Sequence, residues 1–187
     1  MPAWAEFRGS ATSWHPGHIA ERHSCFTITV LGEVVLASLV AVQSAVTGHG
    51  LSGPVVLLAV GGLLLVFALW WICFTGSEAA LTSLRTALVR GYGHYGVFAA
   101  LAAIGAGLET ALDATAHHAH LSSRGAALSV AVPVVIALVL LDAMHRMTGA
   151  GAVGHNMLVA AGALVVLALG LAAPALGVGR AVLGMGP

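Results

Sequence analysis

The stretch HIAERHSCFTITVLGEVVLASLVAVQSAVTG, residues 18–48, joins a membrane-like apolar run to charged side chains. From Cys25 to Val46 it is apolar enough to enter a bilayer, yet Glu21 and Arg22 precede this run and Glu33 lies inside it. An ionised carboxylate within a bilayer costs at least about 2.5–3.5 kcal/mol on insertion scales. The stretch therefore predicts a membrane-spanning helix. The cost of placing Glu33 in the bilayer would be offset by a charged partner, by protonation or by a functional role.

The composition extends this interpretation to the whole chain. Of 187 residues, 59% are hydrophobic and 7% are charged, and the mean hydropathy is +0.98, whereas soluble domains carry roughly 25% charged residues. The chain is therefore predicted to be all-α, a polytopic transmembrane helical bundle whose first partner is the lipid bilayer. All seven basic residues are arginine and the formal net charge is zero, so nothing indicates a nucleic-acid partner. The absence of lysine also excludes a retinal Schiff base.

A membrane span needs about 20 apolar residues, and five runs have this length. They are Cys25–Val46, Pro54–Phe74, Tyr95–Ala116, Ala126–Met144 and Met157–Val178. The chain then divides into a polar N-terminal segment, 1–24, a transmembrane helical domain, 25–179, and a C-terminal tail, 180–187.

The segment GSEAALTSLRTALVRG, residues 76–91, lies between the second and third spans. Three leucines in it share one helical face, Ser77 is a suitable N-cap, and Gly91 is a suitable stop. These features predict a short interfacial helix. The alternative is that the segment extends a neighbouring span.

The distribution of arginine predicts the orientation, because cytoplasmic loops are enriched in basic residues. One side of the predicted bundle carries five arginines and the other carries two. The five are Arg8, Arg22, Arg85, Arg90 and Arg146, and the two are Arg124 and Arg180. This bias predicts a multi-pass protein of the cell membrane with a cytoplasmic N-terminus.

The first span carries a polar stripe within an arc of roughly 60° at 100° per residue. Its members are Arg22, Thr29, Glu33, Ser44 and Thr47, while Thr27 and Ser38 point the other way. We expect the stripe to face the protein interior, where Glu33 serves an ion, a proton or a substrate. The alternative is that Glu33 only holds helices together.

The third span carries a second polar constellation on one face, within about 80°. Its members are Glu109, Asp113, His117 and His120, and Ala102 and Ala106 continue the face, with Gly105 at its edge. A carboxylate and an imidazole one turn apart can pass a proton or bind a divalent metal ion. Alternatively, the two histidines are solvated residues of a loop. The small residues on this face predict that a neighbouring backbone approaches closely.

The fourth span ends in LLDAMHR, in which Asp142 lies four residues before Arg146. This spacing favours a local ion pair, and Asp142 is also a candidate for a proton pathway. No Ser-His-Asp order, phosphate-binding glycine loop or HExxH motif occurs in the chain. We therefore expect that the protein is not an enzyme.

The motif HIAERHSCFTITVLGE resembles the signature of the bacterial low-temperature-requirement A family, H-x-x-E-R-x-x-x-F followed by an apolar stretch and L-G-E. The motif residues in this chain are His18, Glu21, Arg22, Gly32 and Glu33. WWICFTGSEAALTSLR and GYGHYGVFAALAAIGAGLE are similar to the next landmarks of the family, in the same order. Two positions depart from the pattern, because Thr75 stands where an acid is frequent and Val34 where a serine is frequent.

The resemblance implies a polytopic inner-membrane protein associated with growth in the cold. Members are commonly about twice this length, and this chain is similar to their C-terminal half. The polar faces of the first and third spans are too large for five helices to cover, so we expect a homo-oligomer, or another membrane protein that supplies the missing half.

The function that the residues favour is a transporter-like or channel-like membrane protein, with the proton as its candidate coupled ion. Its working residues would be Arg22, Glu33, Glu109 and Asp113, with Asp142 as a further candidate, and it would need no cofactor. One alternative is a haem or metal protein or enzyme that uses His94, His117, His120 or His155. Another is a structural membrane protein of stress adaptation.

Overall fold

The computed structural model of the chain describes residues 16–49, 52–75, 84–115, 121–147 and 153–186. These ranges contain six helices and no strand. The helices are α1, Pro16–His49; α2, Gly53–Thr75; α3, Leu84–Thr115; α4, Ser123–Met147; α5, Val153–Leu176; and α6, Val178–Gly184. The predicted all-α class is confirmed.

Four of these helices, α2 to α5, contain stretches long and apolar enough to cross a membrane. The stretches are Gly53–Phe74, Leu88–Thr115, Ser123–Met147 and Met157–Leu176, which correspond to the second to fifth predicted spans. The first predicted span lies within the 34 residues of α1, and its crossing of the membrane stays a prediction. The chain is a multi-pass membrane protein.

Helices α1 and α3 run parallel and in register. His23 of α1 contacts His94 of α3, and eleven residues further along each helix Val34 lies against Gly105, where an added Cβ would be 3.4 Å from the Val34 Cα. Eleven residues are close to three full turns, so the same faces of both helices meet at both levels. Residues 23 and 94, and residues 34 and 105, therefore lie at the same levels along the bundle.

Helix α4 packs antiparallel against α3 through glycines. A Cβ on Gly93 would meet the side chain of Met144, and a Cβ on Gly107 would overlap the backbone carbonyl of Ser129. The Ser129 hydroxyl lies 3.1 Å from the carbonyl oxygen of Gly107 and 2.7 Å from that of Ala126. Backbones can approach this closely only where a side chain is missing, so these glycines fix the α3–α4 register.

Helix α3 is the centre of the bundle. It packs against α1, α2, α4 and α6, and its inward face carries large apolar side chains that are fully or nearly fully buried. These are Val97, Leu101, Ile104, Leu108 and Leu112. The core therefore lies along the length of α3.

The segment 76–91 is described only from Leu84 onward, and from there it forms the first two turns of α3. This part extends a neighbouring span, the alternative that the sequence left open, whereas residues 76–83 lie outside the described ranges. The stop predicted at Gly91 is wrong. A C-terminal glycine ends a helix by adopting positive φ, and the only positive-φ glycine in the described ranges is Gly177.

Helix α6 reverses the direction of the chain after α5. Gly177, with φ 86°, separates the two helices, and a Cβ on Gly184 would lie 3.2 Å from the Leu169 side chain of α5. Helix α6 contacts α2, α4 and α5, and Ala181 and Val182 are buried. The predicted tail, 180–187, thus contains much of a packed helix, Val178–Gly184.

Candidate functional site

Aromatic rings join α1 to α3 near the start of both helices. The rings of His23 and His94 have centroids 4.2 Å apart, and those of Phe26 and Phe98 lie 4.7 Å apart. The His94 Nδ1 lies 2.5 Å from the carbonyl oxygen of Arg90. Both imidazoles are half-buried, whereas Phe26 is exposed. This contact brings the ERHSCF segment of α1 against the GHYG segment of α3.

The phenylalanines locate the acids Glu33 and Glu109 relative to each other. Glu33 lies seven residues after Phe26, about 20° from its direction around α1, and Glu109 lies eleven residues after Phe98, again about 20° away on α3. Because the two phenylalanine rings touch, the two acids flank the same outer side of the α1–α3 contact. We call the surface lined by Phe26, Glu33, Phe98 and Glu109 the outer groove.

Both acids are exposed on the outside of the single chain. In the α1–α3 register set by His23 with His94, Glu33 lies level with residue 104. Glu109 is five residues further along α3, or about 8 Å at 1.5 Å per residue. Neither carboxylate has an ion pair or hydrogen bond with another described residue. The groove thus carries two acids at different depths.

The interior orientation predicted for the polar stripe of α1 is wrong for this chain. Arg22, Thr29, Glu33 and Thr47 are exposed, whereas Thr27, Leu31 and Val34 are buried. The physical reason is that the aromatic rings and the Val34–Gly105 fit fix the inward face of α1. The buried Thr27 hydroxyl donates to the carbonyl of His23 at 2.8 Å, so its hydrogen bond is satisfied within α1. Ser44 lies outside the described side chains.

The second constellation is partly described. Glu109 is exposed and Asp113, one turn later, is half-buried, while His117 and His120 lie outside the described ranges. Ala102 and Ala106 are exposed on this side of α3, and Gly105 at its edge is buried against Val34. The close backbone approach predicted at these small residues is confirmed at Gly105.

The remaining motif residues lie at the start of α1 or on its surface. The His18 Nδ1 lies 3.4 Å from a carboxylate oxygen of Glu21, with both side chains exposed. Arg22 follows on the exposed surface, and a Cβ on Gly32 would meet nothing within 4 Å. Glu21 and Arg22 thus form a solvent-accessible charged group at one end of the outer groove.

Asp142 forms the predicted ion pair, at 2.5 Å from Arg146. Asp142 is 8% exposed, and its second oxygen, Oδ1, has no hydrogen-bond partner among the described residues. Asp142 lies eleven residues after Ala131, about 20° away around α4, and Ala131 faces Gly170 of α5. Asp142 therefore faces α5, away from the outer groove.

The sequence did not single out His23. Each histidine precedes by eleven residues a position of the Val34–Gly105 contact, but that contact is seen only in the structure, so the sequence carries no signal for the pairing of His23 with His94. Among the described residues no group of three or more histidine, cysteine, aspartate or glutamate side chains is placed to hold a metal ion. The side chain of His155 lies outside the described set.

A comparison with protein-family models matches residues 1–186 to the bacterial low temperature requirement A protein. Comparisons with curated proteins and with solved structures gave no match.

Proposed function

The chain belongs to the bacterial low temperature requirement A family, and we propose that it is a transporter-like or channel-like membrane protein coupled to protons, and not an enzyme. The observation that carries the proposal is the placement of Glu33 and Glu109 on the same outer groove. Acids within membrane-spanning segments mark ion and substrate pathways by default, because their burial in hydrocarbon is costly.

The exposure of both acids favours proton exchange over a fixed structural role. A carboxyl group that faces hydrocarbon is stable only when protonated, and it can ionise when water or a hydrogen-bond donor reaches it. A structural acid would be expected to meet a fixed partner within the chain, as Asp142 meets Arg146. Glu33 and Glu109 meet no such partner among the described residues.

The acids form a descending series along the outer groove. Asp113 and Glu109 are one turn apart, about 6 Å along α3, and Glu33 lies about 8 Å beyond Glu109. Steps of this length need a water molecule or a further polar group between them. Arg22, which belongs to the charged part of the motif, lies at the far end of the series. Asp142 faces α5 and has no place in this route.

The proposal includes an assembly. A groove with exposed acids requires a cover within the membrane, and a second copy of the chain or another membrane protein would supply it. We also propose a cytoplasmic N-terminus in the cell membrane, from the arginine bias. An association with cold or stress tolerance is proposed from the name of the family alone.

The test is proton flux in proteoliposomes that contain the purified protein and a pH-sensitive dye. Glu33→Gln and Glu109→Gln should each abolish proton-dependent flux while the variants fold normally, because the amide is similar to a protonated carboxyl. Asp142→Asn is the matched control, since it makes the same change at an acid that faces α5, away from the groove. Full flux in both groove variants across the pH range would reject the proposal.

A further inference from the structure

Helix α6 enters the bundle from the end that carries Ser52, the start of α2. The contacts at three glycine positions, on α2, on α6 and just after α6, define the path of α6 along α2. A Cβ on Gly179 would lie 2.8 Å from the carbonyl oxygen of Pro54, one on Gly61 would lie 2.7 Å from the backbone nitrogen of Leu183, and one on Gly186 would lie 3.2 Å from the Cβ of Leu64. Helix α6 and the residues after it therefore run parallel to α2.

These contacts give the depth that the segment reaches. From Pro54 to Leu64 is ten residues of α2, or about 15 Å along its axis. The hydrocarbon core of a bilayer is about 30 Å thick. The segment from Val178 to Gly186 thus passes from the Ser52 end to about half the depth of the bundle, with one face buried against protein and Arg180 and Gly184 exposed.

The segment is held in place by packing alone. Ala181, Val182 and Met185 are buried among apolar side chains, and in the described ranges no side-chain hydrogen bond or ion pair joins α6 to α2, α4 or α5. Apolar contact gives no hydrophobic driving force inside a membrane, because lipid tails are equally apolar. The closeness of the fit is therefore what keeps α6 in its place.

The connection to α5 is suited to movement. Gly177 is the single residue between the two helices, and a Cβ on it would meet nothing within 4 Å. Hinges of this kind are a few residues at the ends of elements that absorb a change of φ and ψ. A seven-residue helix also has little stability of its own. Helix α6 therefore stays helical chiefly because it packs against the bundle.

We propose that α6 is a displaceable plug that closes the Ser52 end of the bundle between α2, α4 and α5 and swings on Gly177. When the plug leaves, a vestibule opens that reaches the middle of the bundle and is lined by the side chains that α6 now covers. The proposal concerns accessibility and is independent of the proposed proton flux.

The first experiment measures the labelling of a buried cysteine. Leu58 is 1% exposed, and its backbone nitrogen would lie 3.4 Å from a Cβ on Gly179. In a variant with Cys25→Ala and Cys73→Ala, Leu58→Cys is treated with a membrane-impermeant maleimide on both faces of the membrane. Gly61→Ala pushes its methyl group against the backbone of Leu183, and it should raise the labelling rate at least tenfold.

Gly62→Ala is the matched control. Its methyl group would meet only the movable end of the Leu108 side chain, at 3.2 Å, so labelling should stay at the starting rate. Equal labelling of the Gly61→Ala and Gly62→Ala variants, both folded by size-exclusion chromatography, would overturn the proposal.

A second experiment locks the plug against α2 with a disulfide. It tests whether α6 moves even if the Gly61→Ala variant does not fold. Leu64→Cys with Gly186→Cys places two Cβ atoms about 3.2 Å apart, close to the usual range of roughly 3.5–4.5 Å for a disulfide. In the protein that has Gly61, oxidation should lower the labelling rate of Leu58→Cys at least fivefold, and reduction should restore that rate. Unchanged labelling after complete oxidation would show that α6 does not move.

Discussion

The imidazole rings of His23 and His94 lie 4.2 Å apart across the contact of two parallel helices, α1 and α3. The pair joins the first motif of the chain to its third landmark and sets the register that places Glu33 and Glu109 on one groove. The ring of His94 also lies 5.7 Å from that of Phe98. The relative position of the two acids thus depends on an aromatic contact in which neither acid takes part.

His94→Ala should destabilise the bundle, because it removes the ring contacts with both His23 and Phe98. Aromatic pairs contribute about 0.5–1.5 kcal/mol beyond burial, so we expect a loss of about 1–3 kcal/mol, measured as thermal unfolding in detergent. His94→Phe should retain most of the stability. The control is Tyr95→Ala, because Tyr95 is 72% exposed. A stability loss as large in Tyr95→Ala as in His94→Ala would contradict the assignment.

Gly107→Ala should loosen the contact between α3 and α4, since the methyl group would overlap the carbonyl of Ser129. Overpacking of this kind costs about 1–3 kcal/mol, and the unfolding temperature should fall accordingly. Gly162→Ala on α5 is the control, because a Cβ there meets nothing within 4 Å. If both variants unfold at the temperature of the wild type, the described α3–α4 register is wrong.

Arg146→Leu should leave the buried carboxylate of Asp142 without its charged partner. A buried polar group that loses its partner costs about 1–3 kcal/mol, or more when it is charged. The double variant Asp142→Asn, Arg146→Leu should recover most of this loss, and a double-mutant cycle on unfolding free energies measures the coupling. Arg124→Leu, at an exposed arginine, is the control. Additive losses in the cycle would show that the ion pair contributes nothing.

The topology prediction concerns the two sides of the membrane. Reporter fusions after residue 48 should report the outside, and fusions after residue 85 should report the cytoplasm, because the side with five arginines is expected to stay inside. The opposite pattern would reverse the direction of the series of acids along the outer groove.

Glu33→Leu should weaken the assembly, whereas Glu33→Gln should not. The exposed acid is expected to meet a polar group of its cover within the membrane, and an amide can still make that hydrogen bond. The measurement is the mass of the complex in nanodiscs by light scattering. Leu39→Ala, which changes another exposed side chain of α1, is the control. A wild-type protein that is monomeric and active at the same concentration would contradict the expected assembly.

The spans were predictable because composition alone decides them. Long apolar runs must form helices in a bilayer, and α2 to α5 follow the predicted runs closely. The direction of the polar stripe was not predictable. Helical periodicity shows that Thr29 and Glu33 share a face, but not which face meets a neighbour. The packing of Val34 against Gly105 determines which face of α1 points inward, and these two residues are far apart in the chain.

Helix α6 was also beyond prediction from the sequence. Its seven residues are too few to form a span, and a run of this size near the end of a chain has the composition of a tail. What lets it pack closely against α2 is the missing side chain at Gly61, more than a hundred residues earlier. The acids of the outer groove were found in the sequence, whereas the histidine pair that aligns them was not.

The pairing of α1 with a parallel neighbour has a consequence for the synthesis of the protein. Helix α1 ends at His49 and α3 ends at Thr115, so 66 residues are made between the completion of the two. At about 5–20 residues per second, α1 waits roughly 3–13 seconds for the helix that fixes its inward face. During this interval Glu33 is already part of a finished helix while its groove does not yet exist. On the predicted topology, in which α1 crosses the membrane, we expect the insertion machinery to shelter this acid-bearing helix until its parallel partner is made.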